Sequence, residues 1–544
     1  MMLRPAHARR RGYVLFIVLV VVVVLSLVAY QYHDSMGAES VAALRAHEGE
    51  QARANAVSGI YYAAAILTDP AYPNYNLDDD AGLFSAIPVG TGNLEQDTRS
   101  ARWAGDTNLR RGGGRFSLIN LSDMEGSADG TYAGQRRYGL EDESRKLNLN
   151  ALIRLDPTGA TLYNALMQLP NMTAEIAGAI VDCLDADETE YPSGGAENDY
   201  YAAGGQPYRI KNGPINTIGE LLMVKGVTAE LLYGADRNRN GIQDGNEGGE
   251  GVFSRGWSEY LTIYGREINV DTNGVPRINL NNPDLAALDA QLLTVEGMTR
   301  EIADYILYYR ISGTGEAFTP TLASGRVAAD VTSLRNLVQT AVDNGALPRR
   351  RLTSPFTVLN TQIRLPAQAG PNGQMVTPVV ASPLNSVDTL KGVAQAMVDM
   401  CTASDDYELV PRINVNTAPR EVLNCLKGLN SDASTQLTDT DIDAILNARP
   451  ALGTDPTAAW LVSSGSVTPA KFKNIEKFIC GRSGAFRVRS VGYFGNPGGP
   501  VACVEAIIEV VVEDADGAGP VARPRVHGLH DLTDLGRVFD NLPR

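Results

Sequence analysis

Hydrophobic residues follow three different periods along this chain, and each period predicts a different element. From Tyr13 to Tyr30 they are continuous, with only Ser26 interrupting a run of Val, Leu, Ile and Phe. At 1.5 Å per residue such a block makes a helix of roughly 27 Å, close to the hydrocarbon thickness of a bilayer. From His33 to Asp69 no proline appears and Ala, Glu, Gln and Arg are abundant, so the helix is predicted to continue until Pro70 ends it. Partial alternation marks RFSLINL at 115–121 and RYGLEDESRKLNLN at 137–150 as antiparallel strands. AFRVRSVGYF at 485–494 and VACVEAIIEVVVE at 501–513 alternate well and are separated by NPGGP, which predicts a hairpin that pairs with the strands near Arg115.

The middle of the chain has helical period and repeats itself. KLNLNA at Lys146, RINLNNP at Arg277 and RINVNTAP at Arg412 each open a segment of about forty residues that closes on an apolar helix. The helices are LPNMTAEIAGAIVDCL ending at Leu184, VEGMTREIADYILYYR ending at Arg310, and LKGLN followed by DIDAILNAR ending at Arg449; ELLMVKGVTAELL at 220–232 is a shortened relative. Leu, a turn, a Thr or Asn cap and apolar residues three or four apart describe a helix-hairpin-helix (SAM-like) unit. The stretches 73–98 and 313–411 are less regular and are read as a loop and an irregular insertion; HGLH at 527–530 falls in a Pro-, Arg- and Gly-rich tail.

Composition narrows the function. A chain of 544 residues exceeds one ordinary core, so at least two folded units follow the first helix. A net charge of -16 opposes a nucleic-acid surface. Helix-hairpin-helix units that bind DNA need two glycines in a GxG turn, and the second is missing at Gly226, Gly297, Gly428 and Asn171 alike. The five cysteines show no CxxC spacing, which excludes a disulfide framework and a zinc site; buried thiols or a single bridge remain. GxSxG, Walker and HExxH motifs are all missing, so an enzyme is not expected.

Two acidic stretches carry the candidate chemistry. DRNRNGIQDGNE at 236–247 has calcium-loop spacing: Asp236, Asn238 and Asn240 offer side-chain oxygens, Gly241 the sharp turn, Ile242 its carbonyl, Asp244 a direct or water-mediated contact, and Glu247 a bidentate closure. GGEGVF after Glu247 is not helical, so this is a lone loop and not a paired EF-hand. The second stretch, DCLDADETEYPSGGAENDYY at 182–201, gathers Asp185, Asp187, Glu188, Glu197 and Asp199, which repel one another unless solvated or neutralised by a cation.

Arg4, Arg9, Arg10 and Arg11 precede the apolar block while Asp34, Glu39 and Glu48 follow it, so the first residues stay cytoplasmic and the remainder is exported. The block reads as a secretory signal cut near Ala38, as an uncut anchor, or as a helix released by a cut between Gly12 and Tyr13. The last reading resembles the type IV prepilin signal. Most pilins carry Glu at the fifth mature position, which is Ile17 here; the minor pseudopilin K family of type II secretion departs in the same way. EDESRKLNLN at 141–150 is similar to that family's strand-to-helix junction, and GAENDYY at 195–201 resembles its signature, with Cys183 where Trp is usual upstream.

The periods and the resemblance together predict an α+β protein with helical domains inserted in a pilin-like sheet: leader 1–12, transmembrane and pilin-type helix 13–69, first pilin-like strands and loops 70–145, helical domain with calcium loop 146–255, second repeat 256–312, irregular insertion 313–411, third repeat 412–482, hairpin 483–514 and tail 515–544. The resemblance supports calcium as cofactor and implies I- and J-type minor pseudopilins, a major pseudopilin and a prepilin peptidase as partners, and an inner-membrane site with the bulk periplasmic. The function implied is starting and capping a pseudopilus that exports folded proteins. The alternatives are a signal-anchored calcium-binding scaffold and a helix-hairpin-helix DNA receptor. Mass spectrometry of the protein from its native host is expected to find a methylated amino terminus at Tyr13; an intact leader, or a cut near Ala38, would contradict the prepilin reading.

Overall fold

The computed structural model describes residues 13–69, 71–90, 113–122, 137–203, 208–239, 247, 255–370, 373–429, 432, 434–451, 453–495, 499–513 and 521–535. One helix, Tyr13–Ile66, runs for 54 residues. Its apolar first half is exposed, and it is the one described helix long and apolar enough to cross a membrane. Its second half buries a stripe of Ala52, Ala56, Gly59, Ile60 and Ala63 against an antiparallel sheet. Small residues on both sides let helix and sheet approach closely. A Cβ on Gly492 would lie 2.0 Å from the Ala52 carbonyl oxygen, and one on Gly59 would lie 2.1 Å from Ser490 Oγ.

Sheet order is Ile87–Pro88, Gly114–Ile119, Ala485–Phe494, Ala502–Glu513, Val521–Asp531, with Glu141–Asp142 added beside the central strand Ala485–Phe494. Phe116, Leu118, Val488, Val504 and Ile508 face the helix. Ile119, Val491, Tyr493 and Cys503 form a smaller cluster, closed by Leu532 and Leu535. Two readings of the sequence are corrected here. The segment read as a tail supplies the outer strand Val521–Asp531, in which His527 Nε2 pairs with Glu509 at 3.0 Å. The stretch 73–98, read as loop, contains the short helix Ala81–Phe84 and the first strand. Pro524 and the register shift opposite Ala506/Ile507, where Gly528 has φ +55°, interrupt the outer edge and oppose edge-to-edge pairing.

Between the short strand Glu141–Asp142 and the central strand the chain makes three excursions, and each closes on itself through a two-residue parallel ladder. Leu147 pairs with Leu261, Ile278 with Cys401, and Ile413 with Ile479. The repeated motif explains the closure, because its asparagines hold the returning backbone: Asn148 Nδ2 donates to Tyr264 O at 3.0 Å, Asn281 Nδ2 to Ala403 O at 2.8 Å, and Asn416 Nδ2 to Gly481 O at 2.8 Å. All three excursions share one hydrophobic core. The insertion at 313–411 is not irregular, a third correction. It folds as a five-stranded sheet with the helices Leu334–Asp343 and Val387–Met400, and Phe356 of this part meets Phe472 of the third excursion at 5.1 Å. Its strands are short, mix parallel with antiparallel pairing and are broken by Pro and Gly, which hides their period.

Each excursion starts at a basic residue seated on a buried carboxylate. Lys146 Nζ lies 2.8 Å from Glu141 and 3.1 Å from Glu143. Glu267, on the connector after the first excursion, takes Arg412 Nε at 2.6 Å and Arg277 Nη1 at 3.3 Å, so it ties together the starts of the second and third. Glu143 also binds Arg487 of the central strand at 2.8 Å, which joins the head to the sheet. All five cysteines are buried and free. Burial alone would raise the Glu267 carboxyl, but Arg412, Arg277 and Arg482 outweigh it and lower its pKa. The stabilisation from this ionised carboxylate is therefore present above the unfolded value of 4.5 and is lost as the pH falls through the lowered folded value. Glu267→Gln leaves two guanidinium groups buried with reduced compensation. It is expected to lower stability at pH 7 by about 3–5 kcal/mol in denaturant unfolding, with the deficit shrinking in acid.

Candidate metal centres

The first centre is built at the end of the helix Ala174–Leu184. Thr173 caps that helix by accepting the Ile176 N–H at 3.3 Å, which fixes where it starts, and Asp185 ends it. Buried Asp182 then folds the following loop back by accepting the N–H groups of Tyr191 at 2.9 Å and Ala196 at 2.6 Å. Gly195 is required there, since a Cβ would come within 1.8 Å of Asp182 Oδ2. The folded loop brings oxygens of Asp185, Asp187 and Glu197 within 4.8 Å of one another. Asp199 sits in the first turn of the helix Asn198–Ala202 and is not part of this group.

Asp185 Oδ1, Glu197 Oε1 and Asn212 Oδ1 are buried and have no hydrogen-bond partner. Burial, then Asp187, Asp182 and Glu197, push the Asp185 carboxyl up to about 7; burial and Asp182 also raise Glu197. Asn212 comes from a separate segment, in a left-handed backbone of φ +43°, and its Nδ2 donates to Asp187 O at 2.8 Å. Sequence reading missed Asn212: its Asn-Gly pair signals a turn, but nothing local says the turn docks on the acidic loop. A set of hard oxygens in a confined site fits calcium better than zinc.

In the second centre, the helix Ala229–Tyr233 leads into the loop and is capped by Thr228. Asp236 and Glu247 are both buried. Glu247 Oε1 accepts the N–H groups of Arg237 at 2.8 Å and Asn238 at 3.2 Å, so the last carboxylate of the motif closes on its first turn. Asn240, Gly241, Ile242 and Asp244 lie outside the described residues, as does Gly12 at the proposed processing point; Tyr13 is exposed at the start of the long helix.

Residues 145–235 match the family model described as Type II secretion system (T2SS), protein K. Over this stretch the chain is similar to the type II secretion protein K family. The acidic loop lies inside the matched protein K segment, and the calcium-type loop begins immediately after it. Type II secretion system protein K of Pseudomonas aeruginosa is 30% identical over 99 residues, which are 17% of this chain and 30% of that protein. The chain thus matches less than a third of that curated relative's length. The GspK-GspI-GspJ complex from the enterotoxigenic Escherichia coli Type 2 Secretion System aligns at 12% identity and a TM-score of 0.29, covering 81% of this chain and 99% of that one. So loose a likeness does not define a shared arrangement.

Because Asp185 is raised from 3.8 to about 7, the protonated carboxyl stabilises the cation-free fold at low pH, and that stabilisation is lost as the pH rises through about 7. In chelator, the melting temperature is expected to fall from about pH 5 to about pH 8, and Asp185→Asn is expected to flatten the dependence over that interval. A wild-type profile already flat in chelator would contradict the clustered geometry.

Proposed function

We propose that this chain is a minor pseudopilin of a type II secretion system that starts and caps the pseudopilus tip and so helps export folded proteins. The observation that carries the reading is a protein K segment mounted on a helix whose apolar first half is exposed and whose second half packs on an antiparallel sheet. Such a helix can sit in a bilayer and pass into a filament, where neighbouring subunits would cover the same face. Ile17 gives a neighbour no carboxylate for its terminal amine. That suits a subunit with none above it, and the bulky head would clash anywhere but at an end.

The partners proposed are I- and J-type minor pseudopilins, the major pseudopilin and a prepilin peptidase cutting after Gly12, with the bulk periplasmic and the helix in the inner membrane. The helix pairs are proposed to be related packing units of the helix-hairpin-helix kind. Asn171, Gly226 and Gly297 all take positive φ in the turns, and Thr173, Thr228 and Thr299 cap the helices that follow. Calcium is proposed at both centres, with Asp185, Asp187 and Glu197 at one and the loop from Asp236 to Glu247 at the other. When bound, the cation supplies charge neutralisation; the chain's residues supply shape and no reaction.

Co-expression decides between this reading and an anchored scaffold. Affinity capture of the full chain in detergent is expected to bring down I- and J-type pseudopilins in equal amounts. Capture of the chain alone, with both partners present in the membrane, would favour the scaffold. A DNA receptor would instead shift labelled duplex at low salt, which the acidic charge opposes.

A further inference from the structure

We infer that the cleft between the insertion and the third excursion binds a phosphorylated sugar, taken either free or as the head of a glycolipid. The cleft holds about 420 Å³ and runs between the strand pair Gly315–Ala317 and Thr361–Arg364, the connection 350–357 and the helix Pro469–Ile475. Phe356 packed against Phe472 fixes its two sides relative to each other. Arg350, Lys473 and Lys477 all line it, on a chain whose net charge is -16. It shares no residue with either candidate metal centre.

Each of the three cations is held by a neutral partner. Arg350 Nη1 donates to Gly315 O at 2.8 Å, while its guanidinium lies 4.5 Å from the centre of the Tyr309 ring. Lys473 Nζ donates to Leu359 O, and Lys477 Nζ lies over the Phe478 ring at 4.7 Å. None of the three forms an ion pair with a described carboxylate. Of the acids in the wall, Glu316 is spent on Arg326 and on Arg364 at 3.6 Å, and Asp432 is exposed and accepts the Ser434 N–H at 3.0 Å. Burial lowers the Lys473 pKa and the neighbouring Arg350 lowers it further, so two like charges share this site. Positive charge fixed without a counter-ion in a partly dry cleft attracts an anion. Two lysines act as point charges, which suits the three oxygens of a phosphate better than the planar fork of a carboxylate.

The sugar rests on a separate observation. Glu476 is 7% exposed, it lines the cleft where it adjoins a second cavity beside Arg412, and its Oε2 has no hydrogen-bond partner. Burial raises its carboxyl against the pull of Arg412. An oxygen so placed calls for a donor, and a phosphate dianion has none to give. Hydroxyl groups on the carrier of the phosphate supply it, and Thr353, Ser354, Thr357 and Asn474 offer further hydroxyl and amide partners. The volume falls in the range of small-molecule sites, well above what one phosphate fills.

Calorimetry on the full chain in detergent at low ionic strength tests this. The probes are a hexose monophosphate, a short-chain inositol-phosphate lipid, ethyl phosphate, inorganic phosphate and glucose. The hexose monophosphate or the lipid is expected to bind at least about tenfold more tightly than ethyl or inorganic phosphate, which leave Glu476 without a donor. The tighter of those two names the source, and glucose is expected not to bind. Lys477→Gln changes an exposed side chain, so its melting temperature is expected to match the wild type while its affinity for the sugar-bearing probe falls about tenfold. Equal affinity for every phosphate would mean an adventitious ion only and would overturn the inference. So would affinity unchanged in Lys477→Gln, or no binding of either sugar-bearing probe.

Discussion

Buried charge at the root of the head is the constraint on which the remaining architecture depends. A chain that makes three self-closing excursions between two neighbouring strands of a sheet has to pass the same small region repeatedly, and its backbone there cannot be covered by apolar side chains alone. The solution is Glu267 between Arg277 and Arg412, and Glu141 and Glu143 between Lys146 and Arg487. Ion pairs so deeply buried add little net stability, because desolvation offsets most of the attraction, but a mispaired arrangement would leave a charge without a partner. They therefore favour one arrangement of the three excursions over its alternatives. The asparagine amides beside them do the same for the backbone.

The two candidate centres use carboxylates in the opposite way. At the root Glu141, Glu143 and Glu267 each have a base; at Asp185, Asp187 and Glu197 the acids have one another, Asn212 and orphaned oxygens. Like charges gathered in a partly dry loop raise the affinity for a proton or a divalent cation, and the raised Asp185 carboxyl expresses that. The loop at Asp236 differs again, since the described part of it is already closed by Glu247 on backbone N–H groups. A cation there would reinforce a turn that forms around hydrogen bonds, whereas at the acidic loop it would relieve repulsion.

Sequence alone determined the features that rest on local periodicity and short motifs. The continuous apolar block gave the long helix, alternation gave Gly114–Ile119, Ala485–Phe494 and Ala502–Glu513, and Thr caps placed the helices Ala174–Leu184 and Arg300–Ser312 to within a few residues. Asp185, Asp187 and Glu197 were legible as a cluster because a single loop carries them. Tertiary structure decided whatever depends on residues distant in the chain. Val521–Asp531 reads as a tail because Pro524, Gly528 and the preceding DADGAGP mask its alternation, and it becomes a strand because Ala502–Glu513 offers an unpaired edge. The insertion at 313–411 becomes a sheet only when strands of a few residues find partners up to tens of residues away, at an entropic cost that local propensity does not report. Asn212 acquires its role in the same way. An amide side chain carries no signal of its own, and only the fold determines which carboxylate or carbonyl it meets.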